Sequence, residues 1–212
     1  MDSENYEFIR EIEVEYGNVE LKLVQHSVGD VGCVVWDAGI VMGKYLDYQQ
    51  KFVNSMSGKM VVDIGSGTGV AGLFAAALGA KVILTDLPEI IPILEKNIQS
   101  NCKALKGSVS AAVLKWGEVD TKFLVPDLIL VSDCVYYDMS VEKLIPTLEE
   151  LAGSHTEILI SYEDRELGNK RELLKGFLNK LRSSFEIDII PQSEQHPDYQ
   201  SPDIHLLKCT KK

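Results

Sequence analysis

At 212 residues and a net charge of −11, the chain has the length of one α/β domain and the wrong sign for phosphate-rich partners, because nucleic-acid affinity rests largely on Lys and Arg. Its 45% hydrophobic and 25% charged residues are those of an ordinary globular protein, and four scattered cysteines and four scattered histidines give neither a disulfide framework nor a metal site. The acidic start MDSENYEF lacks a signal pattern, and Val70 to Leu84, broken by Gly72, Gly79 and Lys81, falls short of the roughly 20 apolar residues of a membrane span, so a cytoplasmic or nuclear protein is expected.

Residues 7–25 alternate polar and apolar about Gly17-Asn18 and predict a β-hairpin. After Trp36 the pattern turns helical, with Ile40, Val41, Tyr45 and Leu46 near one side. From Met60 strand and helix alternate. MVVDI is a strand, VAGLFAAAL a helix stopped by Gly79, and KVILTD a second strand. LPEIIPILEKNIQSN is a helix with Pro88 suited to its first turn, although Pro92 offers a second possible start. VSAAVLKW and DLILVSD are the third and fourth strands. Ser140 is placed to cap a helix ending at Leu151, and EILISYE is the fifth strand. Asn169 and Glu172 resemble a capping box for another helix, and FEIDII and IHLLKC close the chain as an antiparallel edge pair. The alternation predicts an α/β fold, doubly wound around a mainly parallel seven-stranded sheet, with the N-terminal β-hairpin outside it. Residues 1–212 are read as one domain, 1–59 being a hairpin-and-helix extension and 60–212 a Rossmann-like core.

VVDIGSGTGVAG carries the strongest local signal. Gly65, Gly67 and Gly69 leave the loop between a strand and a helix N-terminus bare, so a cofactor can approach its backbone closely. Gly67, Gly69 and Gly72 also match GxGxxG, which suits NAD as well. Asp63 opposes a pyrophosphate and suits a cofactor with an ammonium group, such as S-adenosylmethionine (SAM). Asp86, ending the second strand, suits ribose hydroxyls in either cofactor. Ligands of open α/β sheets sit at the carboxyl ends of the strands. Those ends are residues 63–69, Asp86, Trp116, residues 133–137 and Glu163, and they are expected to share one crevice.

Together VGCVVWDAG, VVDIGSGTGVAG, VILTDL, VLKWGE, SDCVYYD and SYEDR resemble the seven-strand SAM-dependent protein-lysine methyltransferases over nearly the whole chain. The glycine loop is common to many methyltransferases, whereas Trp-Asp-Ala with Asp-x-x-Tyr-Tyr is more specific. The resemblance implies a class I methyltransferase in which Trp36 and Trp116 pack around SAM and Gly65, Ser66 and Gly67 line its methionine end. Asp86 would hold the ribose and Ser132 would touch the cofactor. Asp133, Tyr136 and Tyr137 would form the substrate side, with Glu163 as a further strand-end carboxylate. It also implies a protein substrate, the AAA ATPase valosin-containing protein or another chaperone-like protein; charge and composition speak against nucleic acid, membrane and metal, and a monomer is expected. Asp63 stands where many relatives have Glu, and the region before Met60 looks short for the family.

An amine attacks only when neutral, and a free lysine has a pKa near 10.4. A carboxylate and two phenols at Asp133, Tyr136 and Tyr137 suit the walls of a lysine channel, Asp133 attracting and orienting the amine and the tyrosines offering cation–π contact or hydroxyl hydrogen bonds. Adenine and glutamine-amide methyltransferases carry Asn/Asp-Pro-Pro-aromatic at this position, and here there are no prolines. The alternatives left open are an NAD-dependent oxidoreductase, a small-molecule methyltransferase and a non-catalytic binding module.

Overall fold

The computed structural model describes residues 7–27, 31–53, 56–119, 125–136, 138–165 and 168–212. Nine strands and five α-helices follow in chain order: β1 (Glu7–Val14), β2 (Val19–His26), α1 (Asp37–Gln49), β3 (Met60–Ile64), α2 (Val70–Ala77), β4 (Lys81–Asp86), α3 (Ile91–Asn101), β5 (Ser108–Val113), β6 (Leu128–Ser132), α4 (Asp138–Leu151), β7 (Glu157–Glu163), α5 (Lys170–Ser184), β8 (Phe185–Ile190) and β9 (Ile204–Lys211).

Seven strands form one sheet in the order β5-β4-β3-β6-β7-β9-β8. Pairing is parallel from β5 to β7, and β9 is antiparallel to both β7 and β8. The expected doubly wound sheet is therefore present. The expected antiparallel pair of β8 and β9 closes one edge of the sheet, with β9 rather than β8 next to β7. Val62, Ile64, Ile129 and Val131 pack with Leu144, Leu148 and Phe177 of α4 and α5 on one face of the sheet. Val61, Leu128 and Leu130 pack with residues of α1 and α2 on the other. Strands covered on both faces read as continuous apolar runs, as MVVDI and LILVS do.

Two sequence expectations shift. The third helix starts at Ile91, so Pro92 rather than Pro88 stands in its first turn, where a missing N–H costs nothing. The fourth starts at Asp138, which puts Ser140 inside it rather than at its cap.

The hairpin β1–β2 forms a separate two-stranded sheet. An open strand edge needs partners for its backbone groups, and two amides from α3 provide them. The Val24 N–H donates to Asn97 Oδ1 (2.7 Å) and Asn97 Nδ2 donates to the Val24 carbonyl (3.1 Å). Asn101 repeats the pattern at Lys22 (2.8 and 2.9 Å). Asn97 Nδ2 also donates to the Thr68 carbonyl (2.9 Å), which ties the hairpin to the glycine loop. At the other end of the hairpin, Asp47 of α1 accepts the N–H groups of Glu15 and Tyr16 (2.7 and 2.9 Å).

Candidate active site

The β3–α2 connection is a tight loop. Gly65, Gly67 and Gly69 have φ of +62°, +54° and +83°, the left-handed region that favours glycine. A Cβ on Gly65 would stand 2.8 Å from Cys134 Sγ and 2.9 Å from the Trp116 ring, and one on Gly67 would stand 2.9 Å from the Gly32 carbonyl. The loop is pinned to β4 by the Ser66 N–H, which donates to the Thr85 carbonyl (3.0 Å). Asp86 locks it from the side, its two carboxylate oxygens accepting the N–H groups of Gly67 (2.8 Å) and Leu87 (2.7 Å).

These elements frame a cavity of about 560 Å³, a size common for small-molecule and cofactor sites. Of the residues singled out from sequence, Trp36, Gly65, Ser66, Gly67, Asp86, Trp116, Ser132, Asp133 and Tyr136 all line it. Trp36 is 41% exposed and donates its Nε1–H to the Val31 carbonyl (2.8 Å), which holds the indole at the cavity wall. Tyr137 lies outside the described residues.

Asp63 is placed differently. It is wholly buried beneath the loop and is not on the cavity wall. Its Oδ2 accepts the Gly72 N–H (2.9 Å), while Oδ1 has no hydrogen-bond partner. Burial pushes its carboxyl up to about 7, the Gly72 N–H pulls it down, and nearby Asp86 raises it again. Any influence on a cofactor ammonium therefore passes through the loop above it.

Asp133 follows β6 directly. Its N–H still pairs with the Ser161 carbonyl (2.8 Å), and then its backbone enters the left-handed region at φ +55°, a conformation that Asp tolerates better than most residues. The chain turns there, burying Cys134 against the carbonyl of Ile64 (Sγ to O 3.4 Å). Burial pushes the Cys134 thiol well up, so it acts as a packed apolar group rather than a nucleophile.

Arg165, two residues beyond β7, grips Asp133 with both guanidinium arms: Nη1 to Oδ1 at 2.8 Å and Nη2 to Oδ2 at 2.6 Å. Nη2 also donates to Glu163 Oε2 at 2.7 Å, and the guanidinium carbon lies 5.4 Å from the centre of the Trp36 ring. The Asp133 side chain is only 6% exposed, whereas that of Glu163 is 40% exposed and is not on the cavity wall. Glu163 thus meets the cavity through Arg165. Arg165, Glu163 and Asp133 form a three-residue network with a buried member. Lys170 adds a hydrogen bond to the Tyr136 carbonyl, which holds the loop after Asp133.

Sequence reasoning missed Arg165 as a cavity residue, together with Lys115, Lys143 and Lys170. Arg165 was visible as a cation two residues after a strand-end carboxylate. Lys115 lay within VLKWGE without being singled out, and Lys143 and Lys170 carried no motif signal.

The residues fit SAM. The bare loop backbone offers space for a methionine end, the anchored Asp86 carboxylate suits ribose hydroxyls, and Trp36, Ile90, Leu114 and Trp116 give apolar walls for adenine.

Among solved structures, the fold matches a TehB-like SAM-dependent methyltransferase from Corynebacterium glutamicum with a TM-score of 0.55 at 17% identity, covering 85% of this chain and 90% of that one. It also matches a precorrin-6y methyltransferase from Geobacter metallireducens with a TM-score of 0.59 at 12% identity, covering 88% and 94%. The architecture is therefore the Rossmann-like fold of class I SAM-dependent methyltransferases.

The sequence comparisons are narrower. The family model described as "Lysine methyltransferase" matches residues 15–184. Protein N-lysine methyltransferase METTL21A of Danio rerio is 34% identical over 186 residues, 85% of this chain and 78% of that protein. EEF1A lysine methyltransferase 3 of Xenopus tropicalis is 32% identical over 162 residues, 75% and 70%. The chain belongs to the lysine methyltransferase family. That membership removes the oxidoreductase reading that GxGxxG alone left open.

Proposed function

We propose that the protein transfers methyl groups from SAM to the ε-amine of a lysine in a non-histone protein. One observation carries this reading beyond family membership: a buried carboxylate, Asp133, lines the same cavity as the glycine loop, with the aromatic Tyr136 beside it in the chain. When bound, SAM supplies a sulfonium methyl group whose C–S bond breaks onto sulfur as the amine lone pair bonds the carbon. The chain's own residues do the rest. Gly65 to Gly67 and Asp86 hold the donor, Trp36 and Trp116 exclude water from it, and Asp133 accepts a hydrogen bond from the incoming nitrogen and aims it. An in-line displacement on an already activated donor needs mainly this alignment.

The valosin-containing AAA ATPase is the first substrate candidate, supported by the sequence resemblance. Elongation factor 1A is the second, supported by the name of the Xenopus relative. We place the enzyme in the cytoplasm or nucleus, acting as a monomer. The test is transfer from methyl-labelled SAM to each recombinant substrate and to an undermethylated cell extract, with hydrolysis of labelled bands. Methyl-lysine in one discrete protein supports the reading and names the substrate. SAM binding without any protein label sinks it.

A further inference from the structure

Asp133 alone poses a chemical problem. A bare buried carboxylate attracts a lysine ammonium but also stabilises it in the protonated form, which cannot attack. The structure contains a counterweight. Arg165 meets both oxygens of Asp133, at 2.8 and 2.6 Å, and its side chain is only 27% exposed. Bonding to Asp133 holds Arg165 firmly as a cation, against the opposing effect of burial. A carboxylate compensated in this way still offers lone pairs to an N–H, but no longer a full uncompensated charge.

The rest of the cavity agrees. From the other elements packed around it come the carboxylates Asp86 (β4) and Glu118 (after β5), and the cations Lys115 (after β5), Lys143 (α4) and Lys170 (α5), and Tyr136 also lines the wall. Glu163 touches Arg165 from behind. On α1, Asp37 is directed to Arg10 at 3.4 Å. Among the described residues, cations thus outnumber carboxylates on the wall, four to three with Arg165 and Asp133 included, in a chain whose net charge is −11. Such a wall disfavours an additional positive charge.

We propose that Arg165 is a positioning residue that sets the protonation state of the acceptor lysine, by neutralising Asp133 so that the amine is bound through a hydrogen bond but released from its proton. Glu163 limits the effect by partly offsetting Arg165. This rests on the reading that Asp133 faces the acceptor lysine.

The experiment is a set of kcat and KM profiles from about pH 6 to 9.5, using methyl-labelled SAM and recombinant valosin-containing protein, with elongation factor 1A in parallel. Arg165→Gln is expected to move the alkaline rise of kcat up by about one pH unit, with KM for the protein unchanged or lower. The variant is slow at neutral pH and recovers at high pH. Arg165→Lys should restore most of the wild-type profile. Glu163→Gln removes a negative charge and should move the rise the other way, toward acid, which keeps the idea testable even if Arg165→Gln folds poorly. Profiles that drop uniformly at every pH, or that shift in the same direction for both variants, overturn the proposal and leave Arg165 a purely structural clamp. A wild-type enzyme that binds SAM yet labels neither protein nor the extract overturns instead the parent reading.

Discussion

Arg165 and Asp133 are joined through two parallel hydrogen bonds, at 2.8 and 2.6 Å, that bridge the ends of neighbouring strands β6 and β7. The pair has a consequence for mutagenesis. Asp133→Ala removes the charge, leaves the part-buried guanidinium with Glu163 as its remaining carboxylate partner and puts a less tolerant residue at φ +55°. Asp133→Asn keeps the backbone and one acceptor while removing the charge. Transfer by the Asn variant should fall by about 100-fold or more, with SAM affinity within a few-fold of wild type. Calorimetric SAM binding beside a transfer assay checks this, and near-normal turnover would remove Asp133 from the chemistry.

Asp86 carries two duties, holding the N–H groups of Gly67 and Leu87 and facing the cavity. Charged hydrogen bonds of this kind contribute about 1.5–3 kcal/mol. Asp86→Ala should therefore weaken SAM binding at least tenfold. Unaltered affinity in calorimetry would place the ribose elsewhere.

Gly67→Ala tests the loop without touching a side chain. The new Cβ would meet the Gly32 carbonyl at 2.9 Å, on a backbone at φ +54°. The left-handed conformation costs a non-glycine residue about 1–2 kcal/mol. Thermal unfolding should register that loss, and SAM binding should fall further than stability does. A variant with wild-type affinity would show that the loop backbone does not meet the donor.

Asp63 gives a signed pH prediction. Its folded carboxyl lies near 7, above the ordinary carboxylate range, because it is buried. Between about pH 4 and 7 the folded protein keeps a proton that the unfolded chain releases, so this group's contribution to stability is lost as pH rises through the window. A shift of about three units corresponds to about 4 kcal/mol. Urea unfolding should show wild type losing about 3 kcal/mol of stability relative to Asp63→Asn between pH 5 and pH 8, because about two of those three units lie in that range. Parallel curves for the two proteins would mean that Asp63 stays ionised when folded.

Much of the fold is written in local pattern. Apolar runs such as MVVDI and LILVS mark buried parallel strands, and glycines mark the loop between β3 and α2 because its left-handed backbone favours them. The crevice follows from the rule that strand carboxyl ends share one side of the sheet. Other features depend on non-local pairing. The insertion of β9 between β7 and β8 leaves no mark on either strand's own sequence. The asparagines that finish the β2 edge sit in an ordinary-looking helix, and their partners lie 73 and 79 residues away. Asp63 read as a cofactor ligand because a carboxylate beside a glycine loop has the right charge. Its depth, which separates it from the cavity, is a property of tertiary packing. Arg165 drew no role from the sequence for the converse reason: its buried partner is 32 residues away.

The place of β9 also orders events during synthesis. The Asp164 N–H, next to Arg165, donates to the Asp203 carbonyl (2.7 Å) at the entry to β9, and Glu163 itself pairs with Ile204. While residues 203–211 are still within the ribosome, β7 has an open edge and the Asp164 N–H, next to Arg165, lacks its partner. The glycine loop and Asp86 can assemble earlier, because their strands are already made. A nascent chain would thus acquire the glycine-loop half of the pocket before the half that carries Arg165, whose backbone surroundings are complete once β9 pairs between β7 and β8.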